Sequence, residues 1–243
     1  SKIVSSKFCV INADTLTKRL AKDLKTTGDA FMAGNDPYSV HNAAFQMVGA
    51  NDVHYPDELI NGDFEYGKID GWTKAGDGRV ISKLGFIAPT QGSFMGIIST
   101  GLGYTTATGS IFQTFTIAQN QTTLTVKWNF ISEEFLEFIN SSYQDYFKIS
   151  IKDENGNETL LFSKTIDGIA AMFGATKENS GNLVKVSPGI VFDRGDAYMT
   201  DWNTSTFDVS AFKGKRVTLT LAAGDVGDSI YDTAILLDEI SIK

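Results

Sequence analysis

The chain has 243 residues and a mass of 26.4 kDa, enough for one large domain or a domain with an appended subdomain. Acids outnumber bases, 29 to 21, giving a net charge of −8; the basic field of a nucleic-acid binder is missing, and an anionic membrane surface is disfavoured. Hydrophobic content of 42% with 12% aromatics excludes general disorder, and a single cysteine, Cys9, excludes an internal disulfide.

The first residues carry Lys2 and Lys7 but no sustained apolar run, so they are not an intact signal peptide. A mature secreted chain or an excised fragment would start the same way. Cys9 lies among Phe8, Val10 and Ile11 and reads as a buried structural thiol. Residues 13–33 read as a helix: Leu16, Leu20 and Leu24 fall on one face, with Lys18, Arg19, Lys22 and Lys25 off it. Asp14 or Thr15 can cap its start and Gly28 can end or kink it. A second short helix is expected from Ser39 to Val48. Residues 1–59 are therefore read as a short helical N-terminal segment packed on a main domain of residues 60–243. No stretch reaches the roughly 18–20 apolar residues of a membrane span, so membrane insertion is not expected.

From Asn61 onward the period changes to two. Residues 109–117 set Ile111, Phe115 and Ile117 against Thr114 and Thr116. Residues 124–130 place Leu124, Val126, Trp128 and Phe130 on one face and Thr125, Lys127 and Asn129 on the other. Phe147, Ile149 and Ile151 form a third such row, and Val217, Leu219 and Leu221 a fourth. Alternation of this kind marks half-buried antiparallel strands. The Asn155-Gly156 pair suits a tight hairpin. Many short strands of this type predict a mainly β fold, an antiparallel β-sandwich or jelly roll.

Candidate chemistry is carboxylate chemistry. Asp238 follows Leu236 and Leu237 and precedes Ile240, which places it at a core edge. A carboxylate there needs a partner or a cation; a salt bridge or a solvent-facing edge position is the alternative. A denser group lies at Asp225, Asp228 and Asp232, with Glu133 and Glu134 after the Trp128 strand and Asp145 before the next. If these crowd on adjacent loops they repel one another unless a divalent cation neutralises them. A solvated acidic loop is the alternative, and the spacing is not that of an EF-hand.

Three segments carry a family likeness. The first is Asn61-Gly62-Asp63-Phe64-Glu65 followed by Gly71-Trp72. The second is Phe207-Asp208-Val209 through Leu219. The third is Leu236-Leu237-Asp238-Glu239-Ile240-Ser241-Ile242. They resemble the jelly-roll carbohydrate-binding modules and related galactose-binding-like sandwiches over residues 60–243. The resemblance implies a structural Ca²⁺ tying the first and last strands, held by Glu65 and Asp238, with Asp63 and backbone carbonyls near Asn61 also available. The Glu133-Glu134, Asp145 and Asp225-to-Asp238 patterns are similar to secreted bacterial domains of the cell-surface and adhesin kind, which suggests a second Ca²⁺.

For ligand contact the best loop aromatic is Trp202, flanked by Asp201 and Asn203 with Tyr198 nearby. Glu133, Glu134, Glu137 and Asp145 are the carboxylates from which a glycosidase pair would come, but sequence separation says nothing about spacing in space. No Ser/His/Asp set, zinc cluster or nucleotide-binding turn is legible. Arg194-Gly195-Asp196 spells a tripeptide too short to mean anything alone. The expected function is non-catalytic, calcium-dependent binding of an external carbohydrate or similar ligand by a secreted or cell-surface adhesin-type module. Such a module is either part of a larger secreted protein or stands alone. A spacer or matrix module, or a glycoside hydrolase, is the alternative.

The charge is unevenly placed. Residues 1–26 hold six bases and two acids, so the remainder carries 27 acids and 15 bases.

Overall fold

A computed structural model describes residues 55–101, 106–190, 192, 194–227 and 230–243. The helix expected over 13–33, the second over 39–48, and Cys9 lie outside the described residues, as does Asp228. Pro56–Lys243 form one compact unit. It contains eleven strands: β1 (Thr73–Ile81), β2 (Met95–Ser99), β3 (Thr108–Thr116), β4 (Thr123–Ser132), β5 (Tyr146–Asp153), β6 (Glu158–Thr165), β7 (Val184–Lys185), β8 (Tyr198–Met199), β9 (Asn203–Asp208), β10 (Arg216–Gly224) and β11 (Thr233–Ile242). The four alternating segments of the sequence are β3, β4, β5 and β10. The Asn155-Gly156 turn joins β5 to β6, and Asp153 holds it by accepting from the amides of Asn155 and Asn157, both at 2.9 Å.

All strand pairs are antiparallel, and the path runs β6-β5-β10-β3-β1-β2-β11-β4-β8-β7, with β9 on β4. It forms a two-layer sandwich of jelly-roll type. Sheet A is β6-β5-β10-β3 and the first half of β1. Sheet B is the second half of β1 with β2, β11, β4, β8, β7 and β9. Between them lies the main core, with Ile111, Phe115, Phe147, Ile149 and Leu219 from sheet A facing Val126, Trp128, Phe130, Ile235 and Leu237 from sheet B. Each such side chain contributes about 1.5–3 kcal/mol when fully buried. Helix α1 (Ile166–Phe173) adds Ile166, Ile169 and Ala170 to this core. The Thr165 hydroxyl caps its start by accepting from Gly168 N–H.

The two sheets share β1. Thr73–Gly76 pair with β3, then Asp77–Ile81 pair with β2. The handover falls at Gly76, whose φ of +66° is the left-handed conformation that favours glycine. A Cβ there would stand 1.9 Å from the Thr108 carbonyl oxygen. Asp77, the first residue on the sheet B side, is fully buried; it accepts from the Ser99 hydroxyl and pairs with Arg79 at 2.8 Å. A polar anchor thus fixes where the strand changes sheets.

Sheet B departs from the expected half-buried pattern. Part of its outer face, over β2, the end of β4 and the start of β11, is covered by a second apolar cluster in which Ile87, Val186, Ile190 and Phe192, from the connections before β2 and before β8, pack on Met95, Ile97, Ile131, Ala234 and Leu236. Asn129, expected on a solvated face, is therefore buried; its amide donates to the Met199 sulfur at 3.3 Å. The opening segment is also not a strand. Asn61 and Phe64 have φ of 51° and 59°, and Asn61–Tyr66 form turns. The first strand, β1, is separated from the last, β11, by β2. What lies beside β11 is the turn, where Ile240 N–H donates to the Gly62 carbonyl at 2.8 Å. Trp72 is buried, stacks on Phe64 at 6.0 Å and donates from its indole N–H to the Asn61 carbonyl. It closes the core under this turn.

Gly76→Ala is expected to cost about 2 kcal/mol or more, because it adds both left-handed strain and a backbone clash. Urea unfolding checks this, and wild-type stability in the variant would contradict the shared-strand account.

Candidate functional site

The structure brings Glu65 and Asp238 to the same place, one loop, from opposite sides. The Glu65 carboxylate accepts from the amides of Ser93 and Phe94, both at 2.9 Å. Asp238, fully buried, accepts from the Thr90 amide and hydroxyl at 2.8 Å, from Gln91 N–H at 3.4 Å and from Glu239 N–H at 2.8 Å. Gly92 sits between the two grips; its φ is +67°, and a Cβ would stand 2.3 Å from the Glu65 carboxyl carbon. The partner that the apolar context of Asp238 demands is thus a set of N–H and O–H donors on the loop over 90–94. Burial pushes the Asp238 carboxyl above its ordinary value, while these hydrogen bonds pull it back. Asp63 is exposed and accepts from Glu65 N–H in a local turn.

The second acidic group gathers where β4, β5, β10 and β11 meet at one end of the sandwich. Glu133 and Glu134 are buried, as is Asp145. Glu133 accepts from Arg194 N–H at 2.9 Å, Gly195 N–H at 2.8 Å and Asp232 N–H at 2.9 Å. Glu134 accepts from Asp145 N–H at 3.2 Å, and Asp145 from Val226 N–H at 3.0 Å. The Asp225 amide donates to the Ala107 carbonyl. The Asp232 carboxylate stands 1.8 Å from where a Cβ on Gly101 would be. These carboxylates tie together three connections, β4–β5, β7–β8 and β10–β11. Among the described residues, no three Asp, Glu, His or Cys side chains converge as a metal-binding group. The tripeptide Arg194-Gly195-Asp196 is pinned at its amides by Glu133, and Asp196 pairs with Lys185.

Trp202 is half-buried. It packs against the outer cluster of sheet B, and its indole N–H donates to the Ala88 carbonyl at 3.2 Å. Asp201 has φ +60° and accepts from Trp202 N–H, while the Asn203 amide donates back to the Asp201 carbonyl. Tyr198 lies in β8, half-buried against the main core. These four residues form the joint between β8 and β9.

Among the described residues nothing covers the outer side of sheet A. The strand register sets Tyr146, Lys148, Ser150 and Lys152 of β5 beside Thr218, Thr220, Ala222 and Gly224 of β10, and these beside Thr108, Ser110, Phe112 and Thr114 of β3. Phe112 stands opposite Thr220 and Thr73, in the polar phase of its strand. Tyr146 lies down across β10: a Cβ on Gly224 would meet its ring at 2.2 Å. The Lys148 ammonium sits 4.0 Å from the centre of that ring. Sequence reasoning assigned the core rows and passed over both rings. The legible signal is an aromatic residue out of phase with the buried alternation, Phe112 between Ile111 and Gln113, and Tyr146 before Phe147.

Asp238→Ala strips the acceptors from Thr90 and Gln91. It is expected to cost about 2–4 kcal/mol in urea unfolding. Hydrogen exchange at those two amides should accelerate, and unchanged protection there would refute the grip.

No family model matches the sequence, and no curated protein matches it. Among solved structures the chain is similar to a carbohydrate-binding module, TmCBM61, in complex with β-1,4-galactotriose, at 13% identity over 77% of this chain and 97% of that one, TM-score 0.43. It is similar to the K1 cleaved adhesin domain of Lys-gingipain from Porphyromonas gingivalis, at 16% identity over 74% of this chain and 95% of that one, TM-score 0.43. It is also similar to the non-crystalline cellulose specific module CBM28, at 11% identity over 79% of this chain and 98% of that one, TM-score 0.43. The likeness is one of strand arrangement and carries no correspondence of site residues. No helix among the described residues is long and apolar enough to cross a membrane.

Proposed function

We propose that residues 56–243 form a non-catalytic module that binds an external carbohydrate on the outer face of sheet A, as the binding part of a secreted or surface-displayed protein. The carrying observation is the asymmetry of the two sheets. Sheet B is covered by an apolar layer over β2, the end of β4 and the start of β11, while sheet A presents a broad row of Thr, Ser and Lys side chains with two aromatic rings among them. A sugar offers a C–H face and a hydroxyl edge, and such a surface answers both with ring faces and hydrogen-bonding groups. The face is built on rigid paired strands, so little ordering entropy is lost on binding. The state of Glu133 speaks for a non-catalytic role: its carboxylate oxygens are committed to three backbone amides, which leaves it poorly placed as a general acid or base.

Calcium enters the proposal at the loop end. Glu134, Asp145 and Asp232 are oxygen donors of the kind a hard cation takes; they do not converge on one point as they stand, so a bound ion would have to draw them together. Backbone carbonyls and water would complete the shell. The ion would neutralise carboxylates that folding brings together and so bind the folded state alone.

Binding is checked on a glycan array followed by calorimetry. Phe112→Ala and Tyr146→Ala should each weaken a hit by about tenfold or more. Their melting temperatures should stay within about 3 °C of wild type. Trp202→Ala should do the reverse, lowering the melting temperature and sparing affinity. A glycan whose affinity follows Trp202 instead of the two rings would move the site to the β8–β9 joint. Calcium is checked by thermal unfolding: saturating Ca²⁺ should raise the melting temperature by about 5–10 °C over chelator. An unchanged temperature would remove the ion from the account.

A further inference from the structure

The charge on the sheet A face runs against that of the molecule. Setting aside the five acids and six bases of residues 1–55 leaves 24 acids and 15 bases on residues 56–243. Yet the outer face of sheet A carries Lys148, Lys152 and Arg216, and its one acid is Glu158, at the β6 edge. Glu158 is occupied by the Ser150 hydroxyl, which donates to it at 2.6 Å. Lys148 and Lys152 are exposed, and neither forms an ion pair with a described carboxylate. Lys148 is held in place over the Tyr146 ring, an arrangement that keeps an ammonium fixed without neutralising it. Lys148 and Lys152 lie on the same face of one strand, four residues apart, hence about 13 Å from each other. Two ammonium groups spaced along a strand, with hydroxyl rows of Thr114, Thr218 and Thr220 beside them, match a ligand that is both polyhydroxylated and periodically anionic.

We propose that the face selects acidic polysaccharides, chains of uronic acid sugars, over neutral ones. This rests on the sheet A face being the carbohydrate site. Lys148 and Lys152 would each take a carboxylate of the chain, and Phe112 would pack on a sugar face between them. The net negative charge of residues 56–243 disfavours the same polymer elsewhere on this unit, so the polymer is steered to this face.

The test uses the full chain and calorimetry with polygalacturonate, alginate and hyaluronate, each beside its carboxyl-reduced neutral form. At least one acidic polymer should bind about tenfold or more tightly than its reduced form, the loss of one charge-assisted contact. Lys148→Gln and Lys152→Gln should each erase most of that difference, and added salt should weaken the acidic complex alone. Equal affinity for the acidic and reduced forms would overturn this inference and leave the carbohydrate site standing. An acidic preference indifferent to both lysine variants would overturn it too. Binding to no glycan in either form would overturn the carbohydrate site as well. Tighter binding of a single-stranded DNA oligonucleotide than of any glycan would assign the face to a different polyanion and overturn both.

Discussion

Two carboxylates, Glu65 and Asp238, hold one five-residue loop, and the asymmetry of the sandwich depends on that hold. One comes from the turn that opens the unit and the other from its last strand. Between them they take up the amides of Thr90, Gln91, Ser93 and Phe94. The loop so fixed ends the connection that lays Leu84 and Ile87 over sheet B. With that layer in place, β2, the end of β4 and the start of β11 are buried on both faces. The outer face of sheet A has no such layer among the described residues. A buried carboxylate pays a desolvation cost, and several N–H donors offset it. The same two residues therefore help to cover sheet B and set it apart from sheet A, the face proposed to bind carbohydrate.

Much of this architecture is legible in the residues. Strands with one solvated face declare themselves by alternation, and β3, β5 and β10 stand where the apolar rows of the sequence put them. The apolar setting of Asp238 announces a buried carboxylate in need of a partner. Sheet B is harder to read, because a strand buried on both faces loses its alternation. Ile97-Ile98, Phe130-Ile131 and Leu236-Leu237 are runs, and the layer that covers them is assembled from irregular segments with no period of their own. That is why Asn129 belongs to an interior. The opening turn escapes a strand reading for another reason: Asn61 and Phe64 adopt left-handed backbone, which neither residue type advertises except weakly.

The site shows the same split. Loop aromatics attract attention as ligand groups, yet Trp202 has a clear packing task over sheet B. Phe112 and Tyr146 sit in strands and look like core residues until the register is known. Their phase is the clue, and phase is readable only where the neighbouring core rows are secure. The acidic loops were legible as a group because charge density survives in one dimension. What sequence could not supply was the destination of each oxygen, and for Glu133 the destination is a set of backbone amides from two other loops.

The shared strand β1 has a mechanical consequence. In most two-layer sandwiches the sheets meet only through side chains, so a force along the layers is resisted by packing, which is soft against sliding. Here the first half of β1 is hydrogen bonded into one layer and the second half into the other. Sliding the layers past one another must therefore rupture backbone ladders, with the load concentrated at Gly76 and the pairing of buried Asp77 with Arg79. A module that holds a polymer on one layer and is tethered through its chain ends feels force of that kind, and β1 is the element placed to bear it.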